Sequence, residues 1–389
     1  MKVLYLTDSL SDLDGVGRYA MRLVSSLQEI DPEFEPSFLI GRKHRPTSAS
    51  VPDSWPVQVA LPPDYFFYMS PLRFWVSFFQ SLPKVVAAAK QVDVVHAIKD
   101  FPHNWLALWG AKLAGKPCIA TAHGTYTVQP LLDPRHAARA RRTYAQFASM
   151  ISVSGYTRRR LLEVLDGAPP DGERVSVIPN AVDAEHYKAV REVGEQAWHG
   201  KRFTLGIGEL KERKGHHLAV AAWSRVAQDQ TDLHHFIVGR RMGDAYEAGI
   251  LESAREAGVA DRLHFLGNIS EDEKIDLLQR AEVFVHTPVT ADDGGFEGFG
   301  IVYLEASASG TAVIGSRDCG AEDAIVDGST GFLAHQNVAD IESKLRTILG
   351  DRELREGMRE AGRRHAAKSV WKDNARAVRE LYKGALERS

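Results

Sequence analysis

The chain has 389 residues, a length at which two domains are more usual than one. Hydrophobic residues make up 44% of it and charged residues 25%, which is the balance of a folded globular protein and excludes a largely disordered chain. The formal net charge of −3 gives no indication of a nucleic acid or another polyanion as a partner.

Cysteine content and the apolar runs indicate the compartment. The two cysteines, Cys118 and Cys319, lie far apart and have no metal-ligand spacing, so we expect neither a disulfide framework nor a zinc site. The apolar run at the N-terminus ends at Asp8 and is too short for a signal peptide, and no stretch approaches the length of a membrane span. These features predict a cytoplasmic protein.

Short apolar runs rich in β-branched residues alternate with segments of helical periodicity along the chain. Continuous apolar strands that alternate with helices imply parallel sheets covered on both faces. Two such series predict an α/β fold of two doubly wound, Rossmann-like parallel-sheet domains facing across a cleft. The expected strands are Val3–Thr7, Val92–His96, Cys118–Ala122, Ser149–Val153 and Val175–Ile178, then Phe203–Ile207, His234–Val238, Leu263–Leu266, Val283–Val285 and Ala312–Ile314. The expected helices include Gly17–Gln28, Leu218–Gln228, Ala245–Ala257 and Ile341–Leu349.

The domain boundary is expected in the polar stretch Asn180–Lys201. We predict an N-terminal domain of residues 1–185 that also includes a C-terminal helix at about 371–389, and a C-terminal domain of residues 186–370. In open α/β sheets, ligands bind beyond the carboxyl ends of the strands. Residues that directly follow strands are therefore the candidates for a functional site.

Two strands of the N-terminal domain are followed by candidate residues. Gly15 and Gly17 form a G-x-G at the start of a helix, which also partly matches a dinucleotide-binding fingerprint, although Ala20 replaces its third glycine. His123 follows the strand Cys118–Ala122. Imidazole can hydrogen-bond a hydroxyl or support developing charge, although a lone histidine is more often structural.

The segment Pro288–Ile314 carries the strongest signal. Four glycines crowd the turn between a predicted strand and helix, where backbone N–H groups can approach an anion. Glu297 lies within this turn and Glu305 lies in the following helical segment. Because a carboxylate only accepts hydrogen bonds, both glutamates suit a polyhydroxyl ligand such as a sugar or a ribose.

Around these glutamates the sequence resembles the family 4 retaining glycosyltransferases (group 1 glycosyl transferases) of the GT-B fold. Their hallmark is two glutamates separated by seven residues, written around EGFG…LEA. Glu297–Gly300 and Leu304–Ala306 match it in residue type and spacing. The resemblance covers nearly the whole chain, and it implies that the first glutamate contacts the donor sugar while the second binds the ribose.

The resemblance also implies the other residues of the site. It gives the acceptor to the N-terminal domain and the nucleotide-sugar donor to the C-terminal domain. The catalytic residues that it implies are Glu297, His123 and Lys214. The donor-binding residues are Gly15, Gly17, Arg213, Gly267, Asn268, Gly298, Phe299, Gly300 and Glu305.

One segment departs from the family. Residues 208–215, GELKERKG, correspond to the family's G-R-L-x-x-x-K-G, in which the arginine and the lysine neutralise the diphosphate. Lys214 is in place, but Glu209 occupies the arginine position, where a carboxylate would repel a diphosphate. Either Arg213 or Lys211 substitutes for the arginine, or Glu209 points away.

The implied reaction is transfer of a hexosyl group from a UDP- or GDP-sugar to a hydroxyl acceptor with retention of anomeric configuration, in glycan, glycolipid or polysaccharide synthesis. Lys214, the N–H groups around Phe299–Gly300 and a helix N-terminus would stabilise the leaving diphosphate. We therefore expect no metal and no other cofactor. Asp292 and Asp293 are interpreted as solvated loop residues.

Aromatic and basic residues of the N-terminal domain are candidates for contact with a membrane surface. The stretch Tyr65–Phe79 is dense in aromatics. Arginines follow at Arg135, Arg139, Arg141 and Arg142 and again at Arg158, Arg159 and Arg160. Together they could dock on the inner face of an anionic membrane that holds a lipid-linked acceptor. The alternative is that the aromatics belong to the core and the arginines to solvated helix faces. The acceptor is expected to be a sugar or a lipid-linked molecule.

Three other functions compete with transfer. A GT-B sugar-nucleotide epimerase or hydrolase needs no acceptor. An NAD-dependent oxidoreductase would leave the motif of Glu297 and Glu305 unexplained. A non-catalytic member that only binds a nucleotide sugar is favoured by Glu209.

Overall fold

A computed structural model describes residues 1–11, 14–41, 51–63, 70–291 and 293–388. The chain divides into two compact units, Met1–Asn180 with Trp371–Ser389, and Ala181–Val370. The N-terminal segment of the first unit therefore ends at Asn180, five residues before the end that was predicted from the sequence, residue 185. The segment Ala184–Lys188 belongs to the second unit because its buried Tyr187 donates a hydrogen bond to Glu271 of that unit, at 2.7 Å.

The first unit contains a parallel sheet of seven strands within the described residues, in the order β3-β2-β1-β4-β5-β6-β7. Its strands are β1 Lys2–Leu6, β2 Glu35–Gly41, β3 Val57–Leu61, β4 Val94–Ala97, β5 Cys118–Ala122, β6 Ser149–Ser152 and β7 Val175–Val177. Its helices are α1 Gly15–Ile30, α2 Pro71–Ala89, α3 His103–Ala114, α4 Thr125–Leu132, α5 Ala137–Tyr144 and α6 Gly155–Leu165.

The second unit contains a parallel sheet of six strands within the described residues, in the order β10-β9-β8-β11-β12-β13. Its strands are β8 Arg202–Ile207, β9 Leu233–Val238, β10 Leu263–Gly267, β11 Val283–Val285, β12 Ala312–Ser316 and β13 Gly331–Ala334. Its helices are α7 Ala184–Lys188, α8 His216–Asp229, α9 Ala245–Glu256, α10 Glu271–Arg280, α11 Ile301–Ser309, α12 Ala321–Ala324, α13 Val338–Gly350 and α14 Arg352–Ala366, with 3₁₀ turns at Glu212–Lys214 and Ala260–Arg262.

The last helix, α15 Trp371–Glu387, returns to the first unit. The hydroxyl of Tyr382 lies 3.0 Å from the hydroxyl of Tyr5 and 2.7 Å from Nδ1 of His96, whose Nε2 lies 2.8 Å from Oγ1 of Thr121. Burial lowers the pKa of His96 to about 3, so its ring is neutral near pH 7. The network therefore satisfies buried polar groups of β1, β4, β5 and α15 together.

The two faces of the first sheet are covered by different helices. Tyr5 of β1 contacts α15, whereas the alternate residues Leu4 and Leu6 belong to a core that also includes Phe74 and Leu106 of α2 and α3. Successive side chains of a strand point to opposite faces. Helices α2 and α3 therefore cover the face opposite to α15.

The predicted strands are confirmed, with ends that differ by about two residues at most. The sequence analysis missed β2, β3 and β13. β3 and β13 are edge strands with partly exposed residues, and β2 begins with a charged residue and a proline, Glu35 and Pro36, so none of the three shows the continuous apolar run that marks a central parallel strand. Among the described residues, no helix is long and apolar enough to cross a membrane.

Candidate active site

The carboxyl ends of β8 and β11 bring three charged or titratable side chains of the second unit together. These strands are neighbours and parallel, so their following segments lie at the same edge of the sheet. Lys214 lies in the 3₁₀ turn after β8, His286 directly follows β11, and Glu297 lies in the loop before α11. The sequence analysis identified Lys214 and Glu297 but missed His286, which is separated from Glu297 by a glycine-rich loop.

Glu297 is surrounded by nitrogen atoms. Its carboxylate accepts a hydrogen bond from Nζ of Lys214, and Nη1 of Arg213 lies 3.9 Å from Oε2. Nε2 of His286 lies 3.6 Å from the same oxygen, which is too long for a hydrogen bond, so the ring faces the carboxylate without bonding to it. The side chains of Lys214 and Glu297 are only 17% and 13% exposed.

The surroundings of Glu297 fix its charge. Burial alone would raise the pKa of the carboxyl group, but Lys214, His286 and Arg213 together hold that pKa well below its usual range. Burial lowers the pKa of His286, so its ring is neutral near pH 7. The site therefore holds an ionised carboxylate between two cations, in an arrangement fixed by packing.

The loop that carries Glu297 is held by close backbone contacts. Gly320 N donates to the carbonyl oxygen of Glu297 at 2.8 Å, and a Cβ at Gly320 would lie 2.1 Å from the carbonyl oxygen of Gly298. Gly300 has φ +78° and directly precedes α11, whose N-terminus has no side-chain cap. An uncapped helix N-terminus suits an anion. Phe299 is buried in this turn.

Glu305 is held by a buried lysine that the sequence analysis did not anticipate. Nζ of Lys274 lies 3.2 Å from the carboxylate of Glu305, and it also contacts Glu271 at 2.8 Å and the hydroxyl of Tyr187 at 3.1 Å. The Glu305 side chain is 2% exposed. The contact with Lys274 orients the carboxylate of Glu305, and its role as a ribose ligand stays a prediction.

Glu209, the departure from the family, is neutralised by its neighbours. Its carboxylate contacts Nζ of Lys211 at 2.7 Å and Nη2 of Arg240 at 3.0 Å. Burial would raise its pKa, but Lys211, Arg240 and Arg213 lower it. The negative charge expected to repel a diphosphate is thus shared between two cations, one of which, Arg240, follows β9 and was not identified from the sequence.

His123 lies in the first unit, at the end of β5. One ring N–H bonds the carbonyl group of Ile98, and Nε2 is buried with no hydrogen-bond partner among the described residues. Burial lowers the pKa of His123 to about 4, and nearby Lys99 lowers it as well. The imidazole is neutral near pH 7, so Nε2 is an acceptor available to a hydroxyl group.

Three polar residues near His123 were missed. Nζ of Lys99 lies 2.5 Å from the carboxylate of Asp8, and burial raises the pKa of Asp100 to about 6. Each lies two or three residues after the end of an apolar strand, β1 or β4, and this position could have identified them from the sequence.

The predicted glycines differ in how tightly they are packed. Gly17 is buried in α1, where Asp14 caps the helix by accepting from Gly17 N at 2.7 Å, and a Cβ there would lie 2.4 Å from the carbonyl oxygen of Ser11. Around Gly15 and around Gly267, which has φ +67°, the space beyond Cα is open among the described residues. Asn268 is exposed.

The described residues contain no cluster of three or more His, Cys, Asp or Glu side chains that could hold a metal ion. Of the two loop aspartates, Asp293 accepts a hydrogen bond from Gly295 N at 2.9 Å, and Asp292 lies outside the described residues. Both cysteines are buried and free.

Comparisons with known proteins agree with this architecture. Residues 13–186 match the family described as Glycosyltransferase Family 4, and residues 192–365 match Glycosyl transferases group 1. A phosphatidyl-myo-inositol mannosyltransferase of Mycolicibacterium smegmatis is 30% identical over 77% of this chain and 72% of its own length. A glycogen synthase of Mycobacterium tuberculosis is 26% identical over 75% and 69%. The crystal structure of Anabaena HepE in complex with UDP and glucose covers 98% of both chains, with a TM-score of 0.77 and 18% identity.

Two parallel α/β units with this strand order and these structural neighbours define the GT-B fold. The chain belongs to the family 4 glycosyltransferases, and it is a glycosyltransferase.

Gly215 directly follows Lys214 and fixes the turn that carries it. Replacement of Gly215 tests how closely this turn must pack against the neighbouring backbone. Gly215 has φ +68°, and a Cβ there would lie 1.7 Å from the carbonyl oxygen of Thr287. Gly215→Ala should lower the free energy of unfolding of the second unit by about 3 kcal/mol or more, because left-handed strain adds to a backbone collision. Denaturant unfolding measures the change.

Gly258→Ala is the matched control. Gly258 has φ +70° with open space around it among the described residues, so only strain of about 1–2 kcal/mol is expected. Equal losses in the two variants would contradict the positioning of the turn by Thr287.

Proposed function

We propose that this protein transfers a hexosyl group from a UDP- or GDP-sugar to a hydroxyl acceptor, with retention of anomeric configuration. The observation that carries the proposal is the ionised Glu297 held between Lys214 and Arg213 beside the uncapped N-terminus of α11. The carboxylate of Glu297 can accept hydrogen bonds from sugar hydroxyl groups. The nearby cations and the helix N-terminus provide a positive electrostatic potential for a diphosphate.

The leaving group determines what the cations must do. As the bond between the anomeric carbon and the phosphate oxygen breaks, negative charge grows on the diphosphate. The ammonium group of Lys214 has three donors, so it can hold Glu297 and still donate to a phosphate oxygen. Arg213 and the N-terminus of α11 add to the positive field. Because these groups are already positioned, no metal is needed in this scheme.

The pairing of Glu297 with Lys214 supports the role of Glu297 at the donor sugar. An ionised carboxylate accepts strongly from hydroxyl groups, and the low pKa keeps it ionised across the physiological pH range. In the proposed scheme, His123 accepts from a hydroxyl of the same sugar through Nε2, and Glu305 binds the ribose. The acceptor hydroxyl is deprotonated by the departing phosphate.

The neutralisation of Glu209 bears on the alternative of a non-catalytic member. That alternative rested on an uncompensated carboxylate at the diphosphate. Because Lys211 and Arg240 flank Glu209, this site is not more negative than one with a single arginine. The compensation favours catalysis. An epimerase or a hydrolase would act on the donor without an acceptor, so analysis of the products formed from donor alone distinguishes it.

We further propose a cytoplasmic enzyme with a sugar or lipid-linked acceptor bound by the first unit. Asp8, Lys99 and Asp100 offer both donors and acceptors for the hydroxyl groups of such a molecule. The names of two relatives, a phosphatidyl-myo-inositol mannosyltransferase and a glycogen synthase, suggest a lipid-linked and a soluble acceptor respectively, and such acceptors differ greatly in hydrophobicity. A screen of soluble and lipid-linked sugars as acceptors separates them.

Glu297→Ala tests the donor site. Release of UDP or GDP from a panel of UDP- and GDP-sugars, in the presence of acceptor, should fall by about a hundredfold or more, because a transition-state contact is lost. The exposed Glu252 of α9 provides the control, and Glu252→Ala should keep full activity. Turnover of Glu297→Ala at the wild-type rate would remove Glu297 from the reaction.

Binding of the nucleotide is tested separately by thermal stability. UDP or GDP should raise the melting temperature of the wild-type protein, because a ligand at a hundred times its Kd adds about 2.7 kcal/mol to the stability of the folded state. Lys214→Met should weaken this shift strongly, whereas Lys383→Gln on α15 should not. If neither nucleotide shifts the melting temperature, the proposed donor class is wrong.

The stereochemical proposal has its own measurement. Retention predicts that a donor with an α-linked diphosphate gives an α-linked product, which proton NMR of the product identifies from its anomeric coupling constant. A β-linked product from an α-linked donor would contradict retention while leaving the transferase assignment intact.

A further inference from the structure

Helix α2 exposes a stripe of large apolar side chains. Leu72, Trp75, Val76 and Phe79 have exposed fractions of 75%, 39%, 47% and 61%. Their spacing of three and four residues places them on one side of the helix. The opposite side is occupied by Phe74 and Phe78, which are buried in the core. A helix with apolar residues on both its buried and its exposed faces needs a partner for the exposed one.

The apolar surface continues onto α3, which packs against α2. Trp109 and Leu113 of α3 are 43% and 55% exposed. Neither helix contains an aspartate or a glutamate. This combination of apolar exposure without negative charge is typical of a surface that enters the interface of a lipid bilayer.

A basic groove of about 390 Å³ adjoins this surface. Trp105 and Trp109 of α3 line it on one side, and the cations that line it are Lys112, Arg135, Arg139 and Arg142. No acidic residue is among the described residues that line it. Asp133 lies nearby and is paired with Arg135 at 2.7 Å, which leaves the other three cations to set the charge of the groove.

Arg139 is held in place by aromatic rings. Its guanidinium carbon lies 5.1 Å, 5.3 Å and 4.9 Å from the ring centres of Phe74, Trp75 and Trp105. Stacking of this kind orients the planar group and leaves its edge to donate hydrogen bonds. Burial lowers the pKa of Arg139, a cost that an anion in the groove would offset.

Two other arginines of this unit do not line the groove and stabilise the fold through hydrogen bonds to the backbone. Arg141 donates to the carbonyl oxygens of Val164 and Leu165, and Arg158 donates to those of Gly172 and Val175. Of the aromatic residues in this stretch, Phe74 and Phe78 are core residues, whereas Trp75 and Phe79 are exposed. Tyr65, Phe66, Phe67 and Tyr68 lie outside the described residues.

We propose that the groove between α3 and α5 binds the phosphate head group of an anionic membrane phospholipid, while the exposed stripe of α2 and α3 enters the apolar region of the same bilayer. Arg139, Arg142 and Lys112 donate to the phosphate, and Trp75 and Trp109 lie at the level of the head groups. The partner is therefore the surface of an anionic bilayer. The inference rests on the first unit alone and is independent of the sugar-transfer chemistry.

Co-sedimentation with lipid vesicles tests the proposal. The full chain should bind vesicles of phosphatidylcholine that contain phosphatidylglycerol, and binding to vesicles of pure phosphatidylcholine should be much weaker. Arg142→Gln and Lys112→Gln should each lower the partition coefficient about fivefold, since one cation near the surface is worth about that factor. Equal binding to both kinds of vesicle would overturn the proposal, and so would no binding to either.

Two further variants separate the groove from general electrostatics and from the apolar stripe. Lys383→Gln removes one cation from α15, on the opposite face of the first sheet, and should leave binding unchanged. If Lys383→Gln lowered the partition coefficient as much as Arg142→Gln does, the groove would not be a specific phosphate site. Phe79→Ser should lower binding about tenfold or more, because a large apolar side chain no longer enters the bilayer. Unchanged binding by Phe79→Ser would exclude insertion of α2.

Discussion

The ion pair between Lys214 and Glu297 is the interaction on which the donor site depends. Separating two buried charges costs several kcal/mol, because the remaining one is left without compensation. The pair therefore fixes the turn after β8 against the loop before α11. That loop also carries the glycines and the helix N-terminus expected to meet the diphosphate. This one contact thus contributes to both the geometry and the electrostatic field of the donor site.

Other carboxylates around the site are also paired with cations. Glu305 is compensated by Lys274, and Glu209 is compensated by Lys211 and Arg240. Each carboxylate is thereby held in place by a cation, so little rearrangement is needed when a polyhydroxyl or anionic ligand binds. Burial also keeps a histidine neutral in each unit, His123 in the first and His286 in the second. The first unit has a compensated carboxylate as well, because Asp8 pairs with Lys99.

Much of the fold could be predicted from sequence because central parallel strands are continuous apolar runs, as β5 and β8 are. In the edge strand β3 the exposed polar residue Gln58 interrupts the apolar run, so that signal is lost. The position of Glu297 was equally readable from its motif and the preceding strand. What the sequence could not provide was the pairing of Glu305 with Lys274 or of Glu209 with Arg240, since these contacts join separate elements and depend on side-chain direction in three dimensions.

The pKa of Glu297 tests the central role of the ion pair most directly. Carbon NMR of the carboxyl group over a pH titration, assigned by the signal that Glu297→Gln removes, gives its value. The account predicts a pKa well below the ordinary value of about 4.3 for glutamate and a clear rise in Lys214→Met, because the nearest cation is lost. An ordinary pKa that is the same in both proteins would contradict the account.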